Sequence, residues 1–270
     1  MKYVRYVLTA LPTIIHYYPY LNKCSKKPEY QTITERFNKA QEFLRTVNRK
    51  AFHIVFYISG QEKLPKGQVI FTPNHTSNGD PITMLGTADR PIAFLSKKEV
   101  LKMPIIGKAN KTLKGSFIDR ADLRSELVAF KQIDKELDES PELSYVIFPE
   151  GTRSLGPDFK LGQFHPGSFK VAYNRNLPIC PVVMYLTDRV LNPHYHYKKY
   201  PIQVRFLAPL YPADYEDMTT KDIANLLSQR MAIALEEMKK SDPLLVKNLN
   251  GYSDKKISKV LICKKDIKKR

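Results

Sequence analysis

The decisive stretch of this sequence is residues 69–81, Val69-Ile70-Phe71-Thr72-Pro73-Asn74-His75-Thr76-Ser77-Asn78-Gly79-Asp80-Pro81. Its first four residues are apolar or β-branched and predict a short buried strand. Pro81 suits the first helical position, and Asp80 or Ser77 suits the N-cap before it. A strand that passes through a short polar turn into a helix is typical of α/β proteins.

The same turn predicts a pair of interacting side chains. His75 follows the strand and Asp80 precedes the helix, so a tight turn would bring the carboxylate to one ring nitrogen of His75. A carboxylate in that position fixes the imidazole tautomer and stabilises the imidazolium, which makes the histidine a general base. Taken alone, such a pair more often belongs to a surface turn that ends in an N-cap.

Short β-rich runs alternate with helical runs from residue 52 onward. The predicted strands are 52–58, 69–72, 92–95, 116–118, 145–148, 179–184 and 202–207. Apolar residues at helical spacing predict a helix after Asp122 and a last helix that begins near Thr219 and includes Met238. The predicted fold is therefore α/β, a mixed central sheet flanked by helices.

Composition limits the classes of function. The chain has 270 residues, 43% of them hydrophobic, and a formal net charge of +17. That apolar content supports a sizeable core and excludes a disordered tail as the source of the charge. Three widely spaced cysteines exclude a disulfide framework and a cysteine zinc cluster. The positive charge predicts a negatively charged partner: nucleic acid, an anionic membrane surface, or a phosphorylated substrate or acidic carrier.

Both ends of the chain are basic. Residues 1–51 are predicted to be a basic, aromatic and helical membrane-docking segment, with an amphipathic helix over 34–50; packing on the rest of the domain is the alternative. The apolar run 7–15 is too short to span a bilayer, and tyrosines follow it, which is typical of an interfacial anchor. Residues 52–245 form the predicted catalytic domain, and 246–270 form a basic C-terminal tail.

Two further segments place arginines after predicted strands. The first ends in Asp119-Arg120, and the second reads Phe148-Pro149-Glu150-Gly151-Thr152-Arg153-Ser154. Because ligands of α/β sheets collect beyond the carboxyl ends of strands, His75, Arg120 and Arg153 are expected to converge there. Arginine grips phosphate through two hydrogen bonds, although either arginine could instead form an ion pair with its acidic neighbour.

The ordered set of these segments resembles the glycerophospholipid acyltransferase family, in particular the bacterial 1-acylglycerol-3-phosphate acyltransferases, over residues 60–209. Asn74-His75 with Asp80 is similar to the family's His-x4-Asp block. Residues 115–120, 148–154 and 177–183 are similar to its second, third and proline-centred fourth blocks. One departure is His165-Pro166, where such enzymes often carry a lysine just before the glycine that here is Gly167.

The resemblance implies transfer of a fatty acyl group from acyl-CoA or acyl carrier protein to the 2-hydroxyl of lysophosphatidic acid, with no cofactor and no metal. It implies that His75 is the base and Asp80 its support. The substrate-binding residues that it implies are Asn74, Lys97, Gly115, Arg120, Glu150, Gly151, Thr152 and Arg153. Glycerol 3-phosphate or another lysophospholipid is the alternative acceptor. An anionic membrane surface is the expected partner, and the expected location is peripheral or monotopic on the cytoplasmic face of the cell membrane.

Two other classes of function compete with this interpretation. A nucleic-acid-binding module would explain the charge and the tyrosines, but no recognised nucleic-acid motif is visible, so no nucleic acid is expected as a partner. A metal-dependent phosphohydrolase would use His75 and Asp80 as ligands, but the other ligands are missing. His194 and His196 alternate like ligands on a strand, yet a loop without a metal is the favoured interpretation.

Overall fold

A computed structural model of the chain describes residues 2–27, 29–119, 121–154 and 159–251. Seven strands form one sheet: β1 Ile54–Ser59, β2 Ile70–Pro73, β3 Ile92–Lys97, β4 Ser116–Ile118, β5 Ser144–Val146, β6 Ile179–Tyr185 and β7 Tyr200–Phe206. The α-helices are α1 Lys2–Lys26, α2 Ile33–Val47, α3 Asp80–Thr87, α4 Ile106–Thr112, α5 Leu123–Glu139, α6 Lys170–Arg175, α7 Pro212–Tyr215 and α8 Thr220–Asn250.

The strand order places β2 in the middle of the sheet. The order is β1-β7-β6-β2-β5-β3-β4, and every neighbouring pair is parallel except β6 with β7. This arrangement confirms the predicted mixed α/β sheet. Because β6, β2, β5, β3 and β4 run in one direction, their carboxyl ends lie along one edge, where α/β proteins bind ligands.

Strand β2 is buried along its whole length, as its apolar sequence predicts. Its register pairs Ile70 with Tyr145 of β5 on one side and with Ile179 of β6 on the other. Both neighbours are also fully buried strands, in agreement with the continuous apolar runs of a parallel sheet covered on both faces. The turn after β2 is therefore held between two rigid strands.

The N-terminal region is built from two helices that share the main core. Buried Tyr6 and Ala10 of α1, and Ile33, Phe37 and Val47 of α2, belong to the same hydrophobic cluster as the sheet. The predicted boundary after residue 51 therefore does not coincide with a gap in packing. The local pattern does not predict α1 as one continuous helix, because Pro12 and Pro19 lie inside it.

Helix α2 begins and ends near the predicted limits of 34–50. Thr32 and Glu35 form a capping box at its start, and a π-helical turn, Asn48–Phe52, follows its last residue. His53 then takes a left-handed conformation with φ 54°, which ends the helical segment and starts β1. The apolar face of α2 packs on the rest of the domain. The sequence pattern had left this packing open as the alternative to contact with a membrane.

Helix α8 extends further than the sequence indicated. It begins with a capping box between Thr219 and Asp222 and ends at Asn250, where Gly251 with φ 68° forms the C-cap. The helix therefore continues past residue 246, where the basic tail was predicted to start, and buried Val246 extends its packed face. The rest of the predicted tail lies outside the described residues. Among the residues described, no helix has both the length and the apolar character to cross a bilayer.

Candidate active site

The turn between β2 and α3 forms the predicted pair. His75 Nδ1 lies 2.8 Å from Asp80 Oδ2. The Asp80 side chain is completely buried, whereas 19% of the His75 side chain is exposed. The contact occupies Nδ1, so Nε2 is the ring nitrogen left to meet a ligand. The first helical residue is Asp80 itself and the N-cap is Gly79, so Pro81 stands one position later than predicted.

Backbone N–H groups hold the Asp80 carboxylate in place. Oδ2 accepts hydrogen bonds from the backbone N–H groups of Thr76 at 2.6 Å and Ser77 at 2.8 Å. Oδ1 accepts a hydrogen bond from the hydroxyl of Thr187, in the segment after β6. A buried carboxylate that is bonded at both oxygens is fixed in orientation, and it orients the imidazole in turn.

Glu150 holds the other side of the same turn. Its buried carboxylate accepts hydrogen bonds from the backbone N–H groups of His75 and Gly162, both at 2.7 Å. It also accepts a hydrogen bond from the Ser154 hydroxyl, while the Ser154 N–H donates to the His75 carbonyl at 2.8 Å. Glu150 therefore joins the segment after β5 to the backbone of His75.

The imidazole also packs against an aromatic ring. The ring centroids of His75 and Phe148 are 4.3 Å apart, with an interplanar angle of 31°. Phe148 belongs to the segment that follows β5, the strand next to β2. This contact limits rotation of the imidazole and supplies a partly apolar wall beside it.

Asn74 links the turn to the neighbouring strand. Its side chain is fully buried, its Nδ2 donates a hydrogen bond to the Met184 carbonyl at 3.0 Å, and its Oδ1 accepts one from the Met184 N–H at 2.7 Å. Both ends of the amide are therefore bonded to the backbone of β6. Its contact with the substrate stays a prediction.

Two predicted glycines have conformational roles. A Cβ at Gly115 would lie 2.0 Å from Asn110 Oδ1, so only glycine allows the chain to pass this side chain at the start of β4. Gly151 has φ 65°, the left-handed conformation that favours glycine, and its N–H donates to the Phe148 carbonyl at 3.1 Å. Neither observation bears on substrate contact, which stays a prediction for both residues.

The cationic and hydroxyl residues of the prediction that the structure describes are exposed. Lys97 is the last residue of β3 and is exposed. Thr152 and Arg153 follow Gly151 and are exposed as well. Arg120 lies outside the described residues, two positions after β4. Their contact with a phosphate remains a prediction.

Several residues that support the pair are not predictable from the sequence pattern. Ser77, Phe148, Ser154 and Thr187 stand within or near the quoted motifs, but no spacing rule connects Thr187 to Asp80, 107 residues earlier. The N–H of His165 donates to the Pro149 carbonyl at 2.9 Å, so this residue bonds through its backbone to the segment that carries Glu150. In the described part of the chain no group of three or more potential ligands could hold a metal ion, His194 and His196 included.

The arrangement is an imidazole oriented by a buried carboxylate, which can accept a proton from a hydroxyl group. No serine or cysteine nucleophile is needed when the substrate hydroxyl itself attacks. Such a site suits direct transfer of an acyl group to an alcohol, so the fold and the site define an acyltransferase.

Comparison with known proteins leads to the same class. The family model named Acyltransferase matches residues 55–185, the part of the chain that contains β1 to β6 and the His75–Asp80 pair. This part of the chain, just under half of its length, resembles that family.

Similar proteins come from bacteria and from yeast. A Mycoplasma pneumoniae protein named "Probable 1-acyl-sn-glycerol-3-phosphate acyltransferase" is 28% identical over 219 residues, which cover 73% of this chain and 79% of that protein. The 1-acyl-sn-glycerol-3-phosphate acyltransferase of Saccharomyces cerevisiae is 28% identical over 183 residues, 67% of this chain and 60% of that one. The same fold is found in the crystal structure of the 1-acyl-sn-glycerophosphate (LPA) acyltransferase PlsC of Thermotoga maritima, with a TM-score of 0.67. The two sequences are 21% identical, and the match covers 88% of this chain and 98% of that one.

Proposed function

We propose that this protein is a 1-acyl-sn-glycerol-3-phosphate O-acyltransferase of phospholipid biosynthesis. It transfers a fatty acyl group from acyl-CoA or acyl carrier protein to the 2-hydroxyl of lysophosphatidic acid and forms phosphatidic acid. The observation that carries the proposal is the 2.8 Å contact between His75 and buried Asp80 at the carboxyl end of the central strand. The names of the similar Mycoplasma and yeast proteins support the choice of acceptor.

In this mechanism the 2-hydroxyl is the nucleophile. His75 Nε2 accepts its proton as the oxygen attacks the thioester carbonyl, so a C–O bond forms. Collapse of the tetrahedral intermediate breaks the C–S bond, and the imidazolium returns the proton to the leaving thiolate. Asp80 stabilises the imidazolium, which exists only between these two steps.

The order of the strands supports a phosphate site beside the pair. Strand β5 separates β2 from β3, and neighbouring strands lie about 4.8 Å apart, so the end of β3 is about 10 Å from the end of β2. A lysine side chain at Lys97 can bridge much of that gap. Lys97, Arg120 and Arg153 bind the phosphate while the 2-hydroxyl points at His75.

The acceptor is a membrane lipid, so the protein works at a bilayer surface. It docks on the cytoplasmic face of the cell membrane as a peripheral or monotopic protein through α1. One face of this helix carries exposed apolar residues at helical spacing, namely Val4, Val7, Leu8, Leu11, Ile15 and Tyr18. Arg5 and Lys23 lie on the same helix and are also exposed, and the net charge of +17 favours an anionic leaflet.

The test is an assay of purified protein with lysophosphatidic acid and, in parallel, with glycerol 3-phosphate. Each acceptor is offered acyl-CoA or acyl carrier protein as the donor, and product is identified by mass spectrometry. Phosphatidic acid formed from lysophosphatidic acid alone is the expected result. Acylation of glycerol 3-phosphate instead would replace the proposed acceptor, and activity that persists in His75→Ala would overturn the mechanism.

A further inference from the structure

The segment between β3 and α4 exposes an unusual number of large apolar side chains. Leu101, Met103, Ile105 and Ile106 are each between 38% and 49% exposed. They fall within six consecutive residues, here called the 101–106 loop. A soluble surface rarely presents so many neighbouring apolar side chains without a partner.

The backbone of the loop is held in this exposed arrangement. The Met103 N–H donates to the Val100 carbonyl at 3.0 Å, and the Gly107 N–H donates to the Met103 carbonyl at 2.9 Å. A Cβ at Gly107 would lie 2.6 Å from the Val100 oxygen and 2.8 Å from the Leu101 oxygen, so the chain is tightly folded on itself. The apolar side chains therefore project from a turn whose backbone is closely packed and hydrogen-bonded.

The loop is continuous with the exposed face of α1. Lys108, two residues after Ile106, donates to the Tyr18 hydroxyl at 2.6 Å and to Asn22 Oδ1 at 2.8 Å. Tyr18 is the last member of the exposed apolar stripe on α1. The two apolar surfaces therefore meet where α4 packs on α1.

Positive charge surrounds the loop. Lys97 and Lys98 precede it, Lys102 lies within it, and Lys111 follows it, all of them exposed. Such a surface is complementary to an anionic lipid bilayer. The negative headgroups attract the cationic side chains, and the interfacial region accepts the apolar side chains.

We propose that the 101–106 loop is a second membrane-inserting element, which enters the same anionic leaflet as the stripe on α1. The proposal rests on the proposed function for its biological setting, because a bilayer is the source of a lysophospholipid acceptor. The loop follows Lys97 directly in the chain. Insertion brings the lipid headgroups to the strand end that carries this lysine, so the acceptor reaches the site without leaving the membrane.

The absence of tryptophan from the sequence makes the insertion directly measurable. Met103→Trp introduces a single fluorophore into the loop, Leu11→Trp marks the α1 stripe, and Ile233→Trp on α8 is the matched control at another exposed apolar position. Each variant is mixed with vesicles of phosphatidylcholine and phosphatidylglycerol, with and without brominated acyl chains. The expected result is a blue shift and bromine quenching for Met103→Trp and Leu11→Trp, and neither change for Ile233→Trp.

Several outcomes would overturn the proposal. Quenching of Leu11→Trp without quenching of Met103→Trp would restrict membrane contact to α1. Equal quenching of Ile233→Trp would show that the contact is nonspecific. A blue shift of Met103→Trp that depends on protein concentration and needs no vesicles would identify a contact between two copies of the chain instead.

An activity measurement separates this proposal from the proposed function. Ile106→Gln is expected to weaken vesicle binding about tenfold, since it removes a partly exposed apolar side chain from the contact. Its turnover of lysophosphatidic acid in detergent micelles is expected to equal that of the unsubstituted protein. If the unsubstituted protein shows no acyl transfer in micelles, the proposed function fails, while the quenching result still decides the insertion. Unchanged vesicle binding by Ile106→Gln would contradict the insertion itself.

Discussion

The hydroxyl of Thr187 donates a hydrogen bond to Oδ1 of Asp80, the carboxylate whose other oxygen contacts the imidazole of His75. Thr187 is two residues beyond β6, and both side chains are buried. The Ser77 hydroxyl lies 2.6 Å from the Thr187 hydroxyl and completes the group. The orientation of the His75–Asp80 pair therefore depends on a residue outside the turn that contains it.

Thr187→Val should slow turnover and leave substrate binding nearly unchanged. The substitution keeps the shape of the side chain but removes the donor to Asp80, so the carboxylate loses one of its fixed contacts. The loss of a hydrogen bond to a charged buried group should cost about 1.5–3 kcal/mol of the free energy of unfolding. We expect kcat to fall while KM for both substrates stays close to its original value. Steady-state kinetics and urea unfolding measure the two effects.

Thr187→Ser is the matched control for that change. Serine retains the hydroxyl, so kcat should return towards the original value even if stability does not. Equal kcat values for the Val and Ser variants would show that the hydroxyl has no part in positioning Asp80.

Replacement of the catalytic imidazole should have the largest effect on chemistry. His75→Ala should lower kcat by about 10²–10⁴, the contribution of one acid–base group. Asp80→Asn should also be severe, because a neutral amide cannot stabilise the imidazolium and brings an NH₂ group to a site where every partner is a donor. Thioester turnover is followed with a thiol reagent, and circular dichroism checks the fold. A folded His75→Ala protein with near-normal turnover would eliminate His75 as the base.

Glu150→Gln should destabilise the turn that carries His75. The carboxylate accepts N–H groups from His75 and Gly162 at its two oxygens, so the NH₂ of a glutamine must face a donor at one of them. We expect a loss of about 1–3 kcal/mol in the free energy of unfolding, together with a lower kcat. Glu42→Gln, on the exposed side of α2, is the control and should change stability little. The same small effect at Glu150 would mean that its carboxylate is not needed to hold the turn.

Arg153→Lys should weaken binding of the acceptor more than binding of the donor. Lysine keeps the positive charge but loses the planar fork that binds phosphate through two hydrogen bonds. The apparent KM for lysophosphatidic acid should therefore rise more than the KM for the acyl thioester, and Arg120→Lys should behave in the same way. A rise confined to the thioester constant would assign the arginines to the donor site.

The apolar stripe of α1 should provide binding that salt cannot remove. Leu8→Gln combined with Ile15→Gln should lower the fraction that floats with anionic vesicles at 1 M salt, where the Debye length is about 3 Å. Point substitutions are preferable to removal of residues 1–50, because Phe37 and Val47 belong to the main core and their loss would unfold the domain. Ile233→Gln serves as the control. Undiminished salt-resistant flotation by the double variant would show that the stripe makes no apolar contact with the membrane.

Much of the fold and the central pair could be predicted from local sequence. Five of the seven strands begin within one residue of their predicted start, and His75 and Asp80 are five positions apart, so the turn that joins them needs only a strand, a short polar segment and a helix start. Such short-range features follow from hydrophobic periodicity and capping preferences. The resemblance to the family blocks supplied expected roles for the residues that local pattern left open.

The rest was decided by tertiary structure, because it depends on contacts between distant parts of the chain. Local pattern does not reveal that β5 and β6 flank β2, yet this order brings Glu150 to the His75 backbone and Thr187 to Asp80. The same applies to Asn74, whose amide bonds to β6, and to α1, which forms despite two prolines because Tyr6 and Ala10 pack into the core. The sequence by itself determined the reacting pair, and the strand order determined how that pair is held, since hydrogen-bond partners separated by 75 and 107 residues meet only when the sheet has formed.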